Sequence, residues 1–516
     1  MRAPERVVPG QEGIVTGMGR REFLKRAGGA VGAAATVHLW SAGSAPAETL
    51  GGAGAEAGEW SALEGLLADL VGEMEGRLPY ASALYSDAAS LSVTARTREK
   101  TTVPAPRQGG VVFRVHDGRG FHETATDDLH PDALRAAARG LAASVTVLHE
   151  GFWPVEPGPR ETRSWVSDGY MEPGQIQVGQ WVERAEAILA EIQELDTRQQ
   201  SASASVSGTW QRALFVDRHR RLRQSILRTG VSAFLFGTDG RGTGRASLSR
   251  RGQGGLERAQ LTDADRVRLR TEFNDTFRAE RIPVGSYRIV SAPEITGLLA
   301  HESFGHGVEF DMFIRGRARA ARFLGHRVAP EIVQIWDDPS HAGENGSYFF
   351  DDEGWTAAPT QIVKDGVFTQ PITDQYSAAV GRVARTANGR RQSFARKAYS
   401  RMSNTFFGKG TTPVSECFAA VEKGIYLDGF QSGMEDPHGW GIQLICRIGY
   451  ELKSGERTGR VFAPVGVGGY VPDILGSISH VGDSFELGPG TCGKGHKEWV
   501  PVSDGGPHLV FTAPLA

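Results

Sequence analysis

Cysteine is scarce, with only Cys417, Cys446 and Cys492 in 516 residues. So small and odd a number excludes a disulfide framework as the main support of the fold and leaves at least one thiol for other work. Charge of one sign is missing too: a net charge of −3 argues against a polyanionic partner. The one basic cluster, Asp217-Arg218-His219-Arg220-Arg221, has no interleaved aromatics and reads as a solvated hairpin turn, so no nucleic-acid contact is expected. No run of about 18 apolar residues is present, which excludes a stable membrane-spanning helix. What abounds is glycine, 67 residues and roughly twice its usual share, favouring turns and tight strand connections over a helical bundle. The length leaves room for two or more sizeable cores.

Residues 1–47 read as an export signal rather than as part of the fold. Gly19-Arg20-Arg21-Glu22-Phe23-Leu24-Lys25 precedes a mild Ala/Gly-rich apolar run, Ala27 to Trp40, and Ala45-Pro46-Ala47 offers small residues for cleavage. This order resembles a twin-arginine signal and predicts a periplasmic or extracellular protein. A disordered basic tail is the competing reading. Twin-arginine export carries folded proteins, which suits a chain that loads a metal before leaving.

From 59 to 280 the pattern is α+β. Leu63, Leu66, Leu67, Leu70, Val71 and Met74 make an apolar helical stripe, with Ser61 and Glu64 as a capping box. Helices are predicted at Asp132–Ser144, Trp181–Leu195 and Thr262–Phe277. Strands are predicted at Leu91–Thr97, Val111–Val115, Ser203–Ser207, Ala213–Val216 and Ile226–Phe236. From 285 to 516 short β-rich runs dominate, among them Ile332–Trp336, Tyr348–Phe350, Gln361–Val363 and Val367–Gln370, with a helix-like stretch at Val414–Lys423. The expected class is α+β, with a largely antiparallel C-terminal domain.

That domain opens on the chemically richest stretch of the chain. Tyr287-Arg288-Ile289-Val290 predicts a strand, and Ser291, Pro293 and Glu294 predict the start of a helix through a capping box. Ile295, Leu298 and Leu299 give the helix a buried face, placing His301 and Glu302 about two turns in. Two imidazoles and a carboxylate are the raw material of a hydrolytic zinc site, but their spacing is unusual. In H-E-x-x-H the histidines diverge by about 40° around the helix, whereas His301 and His306 would diverge by about 140°. For both to face one ion, the helix must widen into a π-bulge or end at Gly305 and let the chain swing His306 back. Two packed or capping histidines are the plain alternative.

Far downstream, Gly488-Pro489-Gly490-Thr491-Cys492-Gly493-Lys494-Gly495-His496 places a cysteine in what reads as a glycine-rich loop, with Lys494 near enough to favour a thiolate. Spacing alone does not pair it with His306.

His301-Glu302-Ser303-Phe304-Gly305-His306-Gly307, Arg401-Met402-Ser403-Asn404-Thr405, Val421-Glu422-Lys423-Gly424-Ile425-Tyr426 and Thr491-Cys492-Gly493-Lys494-Gly495 together resemble the TldD branch of the TldD/PmbA metalloprotease family, most clearly from Ile289 to Val502. The resemblance implies zinc held by His301, His306 and Cys492, and water activated by Glu302. It also implies a dimer, with itself or with a TldE/PmbA-like relative lacking the motif, enclosing the site and accepting unfolded or extended peptides. His496 departs from the glutamine common after the cysteine stretch; a fourth ligand, a substrate contact donating in the transition state and a neutral substitution are the roles open to it. Three readings follow: a zinc peptidase, a non-catalytic zinc-binding partner subunit, and a thiol enzyme using Cys492 with His496.

Overall fold

Alternating burial runs much further along the chain than the short strands predicted from sequence. The computed structural model describes residues 57–516 apart from 150–152, 154, 156, 157, 241 and 496, so the signal-like segment and His496 lie outside the described residues. The first region is built on β1 (Tyr80–Arg96), β2 (Glu99–His116), β3 (Phe121–Thr126), β4 (Glu161–Val166), β5 (Gln199–Asp217), β6 (Arg220–Thr238) and β7 (Thr243–Gln253). They form one seven-stranded sheet in the order β3-β2-β1-β5-β6-β4, with β7 also on β6; only the β4–β6 pairing is parallel. The separate segments Ser203–Ser207 and Ala213–Val216 are one strand, because Gly208 to Arg212 between them continue the alternation with Trp210 and Arg212 buried.

Four helices cover this sheet: α1 (Ala57–Glu75), α2 (Pro131–Ser144), α3 (Val178–Gln193) and α4 (Asp263–Thr276). Leu67, Val71 and Met74 pack with Leu134 of α2 and Phe113 of β2, while Trp181, Ile188, Trp210 and Phe273 form a second cluster. Ser61 lies inside α1, so the predicted capping box does not start that helix. The basic cluster serves its own turn. Asp217 Oδ1 accepts the backbone N–H groups of His219 and Arg220 at 2.8 and 2.7 Å, and Arg220 is buried against the same carboxylate.

The second region holds β8 (Gly285–Ser291), α5 (Pro293–Phe304), β9 (Ile335–Asp337), β10 (Thr360–Lys364), β11 (Val367–Phe368), a two-stranded ladder of β12 (Gly389–Arg390) and β13 (Tyr399–Ser400), and β14 (Asn404–Phe407). After these come β15 (Lys423–Asp436), β16 (Gly441–Lys453), β17 (Glu456–Phe462), β18 (Val465–Tyr470), β19 (His480–Val481), β20 (Glu486–Lys494), β21 (Lys497–Gly506) and β22 (Leu509–Leu515). One sheet runs β11-β10-β9-β14-β21-β20. The other runs β15-β8-β22-β18-β16-β17 and turns back on itself through a β15–β16 ladder. The α+β class and the mainly antiparallel second region are as expected. Tyr348–Phe350 is not a strand; Phe350 makes only an isolated bridge to Thr356.

Helix α5 lies between the two sheets of this region, against β14 and β21 on one side and β15 on the other. Every residue from Ile295 to Phe304 is buried, rather than the single face predicted. Close approach makes this possible: a Cβ on Gly297 would stand 2.2 Å from the backbone nitrogen of Gly505 in β21. The predicted Ser291–Glu294 capping box is absent, because both side chains are engaged elsewhere. Ser291 Oγ bonds Thr296 Oγ1 at 2.7 Å, and Glu294 accepts from Arg268 of α4 at 2.7 Å and from the N–H of Phe430.

Candidate metal centre

The helix that carries His301 ends at Phe304. Gly305 caps it with its N–H on the His301 carbonyl at 3.0 Å, and His306 begins a single tight turn to Val308. Of the two routes open to the sequence, the chain takes the swing at Gly305 and not a π-bulge. A side chain at 305 would meet the His301 carbonyl oxygen at 2.3 Å, so glycine is required there. The two imidazoles end with ring centroids 5.2 Å apart and planes at 89°.

Cys492 meets them from β20. This stretch is a strand, not the predicted loop: Thr491 and Cys492 pair with Pro501 and Val500 of β21, and the glycines allow close packing while preserving the ladder. His301 Nε2 lies 3.2 Å from Cys492 Sγ and His306 Nε2 lies 3.1 Å from it. The three donor atoms fall within 4.8 Å of one another, and Cys492 is 3% exposed. Burial disfavours a thiolate, but the positive charges of His306 and His301 and their hydrogen bonds hold the Cys492 thiol well below its ordinary range. Burial likewise opposes a charged His301, which the Cys492 sulfur and Glu302 nevertheless raise to about 9.

These residues suit a soft divalent cation. Two imidazoles and a thiolate at tetrahedral angles around zinc stand with N and S roughly 3.6 Å apart, so the cluster need open by only a few tenths of an ångström to receive the ion. His301 Nδ1 is buried with no hydrogen-bond partner among the described residues, which leaves Nε2 facing the cluster.

Glu302, next to His301 on α5, is 5% exposed and borders Gly433 of β15, where a Cβ would come within 2.6 Å of its Oε1. Burial pushes its carboxyl above the usual range, and the charges of His301 and His306 pull it partly back.

A surrounding network escaped the sequence reading. Arg401 is 1% exposed and donates Nη2 to Cys492 Sγ at 3.0 Å, Nε to Glu309 Oε1 at 3.1 Å and Nη1 to the Glu498 carbonyl. Glu309 also faces His306 Nδ1 at 3.6 Å. Lys494 does not reach the sulfur as expected; its ammonium bonds Glu309 at 2.9 Å and Asp311 at 2.7 Å. Besides the two imidazoles, the cationic side chain that reaches the sulfur is therefore Arg401. The motif around Arg401 is structural as well: Asp337 accepts from the N–H and Oγ of Ser403, from Thr405 Oγ1 and from Asn388 Nδ2, tying β14 to β9. Arg401 had a sequence signal, since it opens one of the four motifs, but nothing in the sequence pointed it at Cys492.

The description that matches residues 284–513 is "PmbA/TldA metallopeptidase C-terminal domain". A metalloprotease of Methanothermobacter thermautotrophicus is 33% identical over 285 residues, 54% of this chain and 62% of the relative. A zinc metalloprotease TldD homolog of Saccharolobus solfataricus is 29% identical over 226 residues, 44% of this chain and 50% of the relative. The chain thus spans about half to two thirds of the length of these relatives. Among solved structures, TldE from Thermococcus kodakarensis superposes with a TM-score of 0.67 at 15% identity, covering 87% of this chain and 100% of that one. A Thermotoga maritima protein gives a TM-score of 0.71 at 16% identity, covering 89% and 100%. At these identities the two structures speak to the fold. Residues 284–513 are thus similar to the C-terminal domain of the PmbA/TldA metallopeptidases.

Proposed function

We propose that this chain is a zinc-dependent peptidase acting on unfolded or extended peptides, and a catalytic rather than a metal-free member of its family. The observation that carries the reading is the convergence of His301, His306 and Cys492 from opposite ends of the second region, with Glu302 beside them. The name of the Saccharolobus solfataricus relative supports zinc as the metal. His301, His306 and Cys492 would hold the ion through Nε2, Nε2 and Sγ. Zinc bound there supplies Lewis acidity, polarising a peptide carbonyl and acidifying water. Glu302 takes the proton of the attacking water and returns it to the leaving amine, and burial of its carboxyl moves its basicity toward the range such a shuttle needs. A non-catalytic subunit would have no use for that carboxylate. Extended peptides suit main-chain capture along the outer strand β20. Pairing with a second copy or with a TldE/PmbA-like relative completes the reading.

The test is metal analysis of purified protein beside cleavage of an unfolded peptide. About one zinc per chain is expected, with cleavage abolished by a chelator and restored by zinc, whereas a thiol enzyme would be indifferent to the chelator. Export by the twin-arginine route is a separate proposal. Replacing Arg20 and Arg21 by lysine should leave the protein in the cytoplasmic fraction; unchanged export would rule the signal out.

A further inference from the structure

Thr491 and Cys492 are consecutive in β20, so their side chains face opposite sides of the strand. Cys492 faces the imidazoles, while Thr491 lines a cavity of about 320 Å³ between the first sheet and the second region. That is the lower end of the size range of ligand pockets, roughly 300–1,000 Å³.

Four guanidinium groups line this cavity: Arg391 is paired with Glu123, whereas Arg228, Arg251 and Arg390 have no carboxylate within 4 Å among the described residues. Arg228 is 2% exposed, and its three donors go to neutral acceptors: the Asn345 and Ser347 carbonyls and Gln211 Oε1. Arg251 donates to the hydroxyls of Ser207 and Thr209. Arg390 donates to the Met402 carbonyl and lies over the ring of Tyr348.

The carboxylates that also border the cavity are otherwise engaged. Asp351 accepts backbone N–H groups of Glu353, Trp355 and Gly389, and Asp352 accepts that of Arg391. Buried cations are ordinarily paired with anions. Here burial, with Arg390 and Arg251 nearby, lowers Arg228 to about 9 despite the opposing charge of Asp352. Asn345 links the cavity to the metal centre's strand, donating Nδ2 to the Gly490 carbonyl, and its Oδ1 is buried without a partner among the described residues. That acceptor suits a peptide N–H better than an inorganic anion.

We propose that this cavity is a substrate subsite that binds a carboxylate of the peptide, either its C-terminus or an Asp or Glu side chain. The inference rests on the peptidase reading. A peptide lying along β20, the outer strand of its sheet, turns successive groups alternately to the metal side and to the arginine side.

The experiment uses three forms of one otherwise neutral peptide: free C-terminus, C-terminal amide, and amide carrying one glutamate. Calorimetry reads their binding to metal-loaded protein, and a separate assay reads their cleavage. A carboxylate form should bind about tenfold or more tightly than the plain amide, the scale of one charge-assisted hydrogen bond; which form gains identifies the source. Arg251→Gln and Arg390→Gln should each bring that ratio toward one, with Arg251→Lys retaining most of it. Equal affinity for all three peptides, or a ratio unmoved by both glutamine variants, overturns the subsite. Preferential binding without cleavage of any peptide leaves the subsite standing and removes the hydrolytic reading instead.

Discussion

Replacing Glu302 by glutamine should leave the metal in place and lower kcat for peptide cleavage by about 10²–10⁴-fold, the contribution of a positioned general base. Glutamine keeps the shape that Gly433 accommodates but cannot accept a proton. Glu302 is not one of the three clustered donors, so zinc content measured by emission spectroscopy should match wild type. Because this residue is next to His301 and buried, the variant needs a structural control, and retained zinc is itself that control. Glu302→Asp should recover only part of the rate, since shortening the side chain moves the carboxylate by about one methylene. Undiminished cleavage by the glutamine variant would remove Glu302 from the mechanism, and loss of zinc with loss of activity would make it a ligand or a structural support instead.

The parts of the site written into one stretch of sequence were legible; the parts assembled from distant stretches were legible only by resemblance. The helix over His301 follows from Pro293 and the apolar run through Leu299, and Gly305 announces its end. Nothing local says which way the chain turns at Gly305; the Met402 side chain and the His301 carbonyl, both close to where a Cβ would stand, exclude a side chain there. Cys492 was read into a loop because glycine punctuates turns in isolation, whereas β21 supplies a ladder that overrides so weak a preference. Long strands were cut short for a related reason. Gly208 and the polar residues beside Trp210 look like breaks until neighbours on both sides, β1 and β6, pair through them. Capping was misread at Ser291 and Ser61, where local hydrogen-bonding capacity was correctly identified but tertiary partners or an earlier helix start took precedence. The pairing of Arg401 with Cys492 joins residues 91 positions apart, and no periodicity encodes such a contact.

Arg401 leads to the second large effect. Its guanidinium joins the Cys492 sulfur, the Glu309 carboxylate and the Glu498 carbonyl in a volume closed to solvent, and the other side of Glu309 is occupied by Lys494 and His306 Nδ1. Burial works against the Glu309 charge, but Lys494, His306 and Arg401 together hold its carboxyl far below the usual range. Arg401→Met keeps much of the volume and removes one cation, leaving that carboxylate and the thiolate short of a partner. Breaking a buried pair costs about 3–5 kcal/mol where the remaining charge is left uncompensated, and Lys494, which still holds Glu309, keeps the loss below that range. Losing a group that orients a metal-binding side chain costs about 10–100-fold in metal affinity. Thermal unfolding of the metal-free protein and competition for zinc against a chromophoric chelator separate the two losses. Adding Glu309→Gln to Arg401→Met should restore neither the affinity, because the sulfur still lacks its donor, nor much of the stability, because Glu309 keeps Lys494 as a partner in the single variant. If the single variant held zinc as tightly as wild type, Arg401 would be a partner of Glu309 alone, and the 3.0 Å contact to sulfur would carry no weight in metal binding.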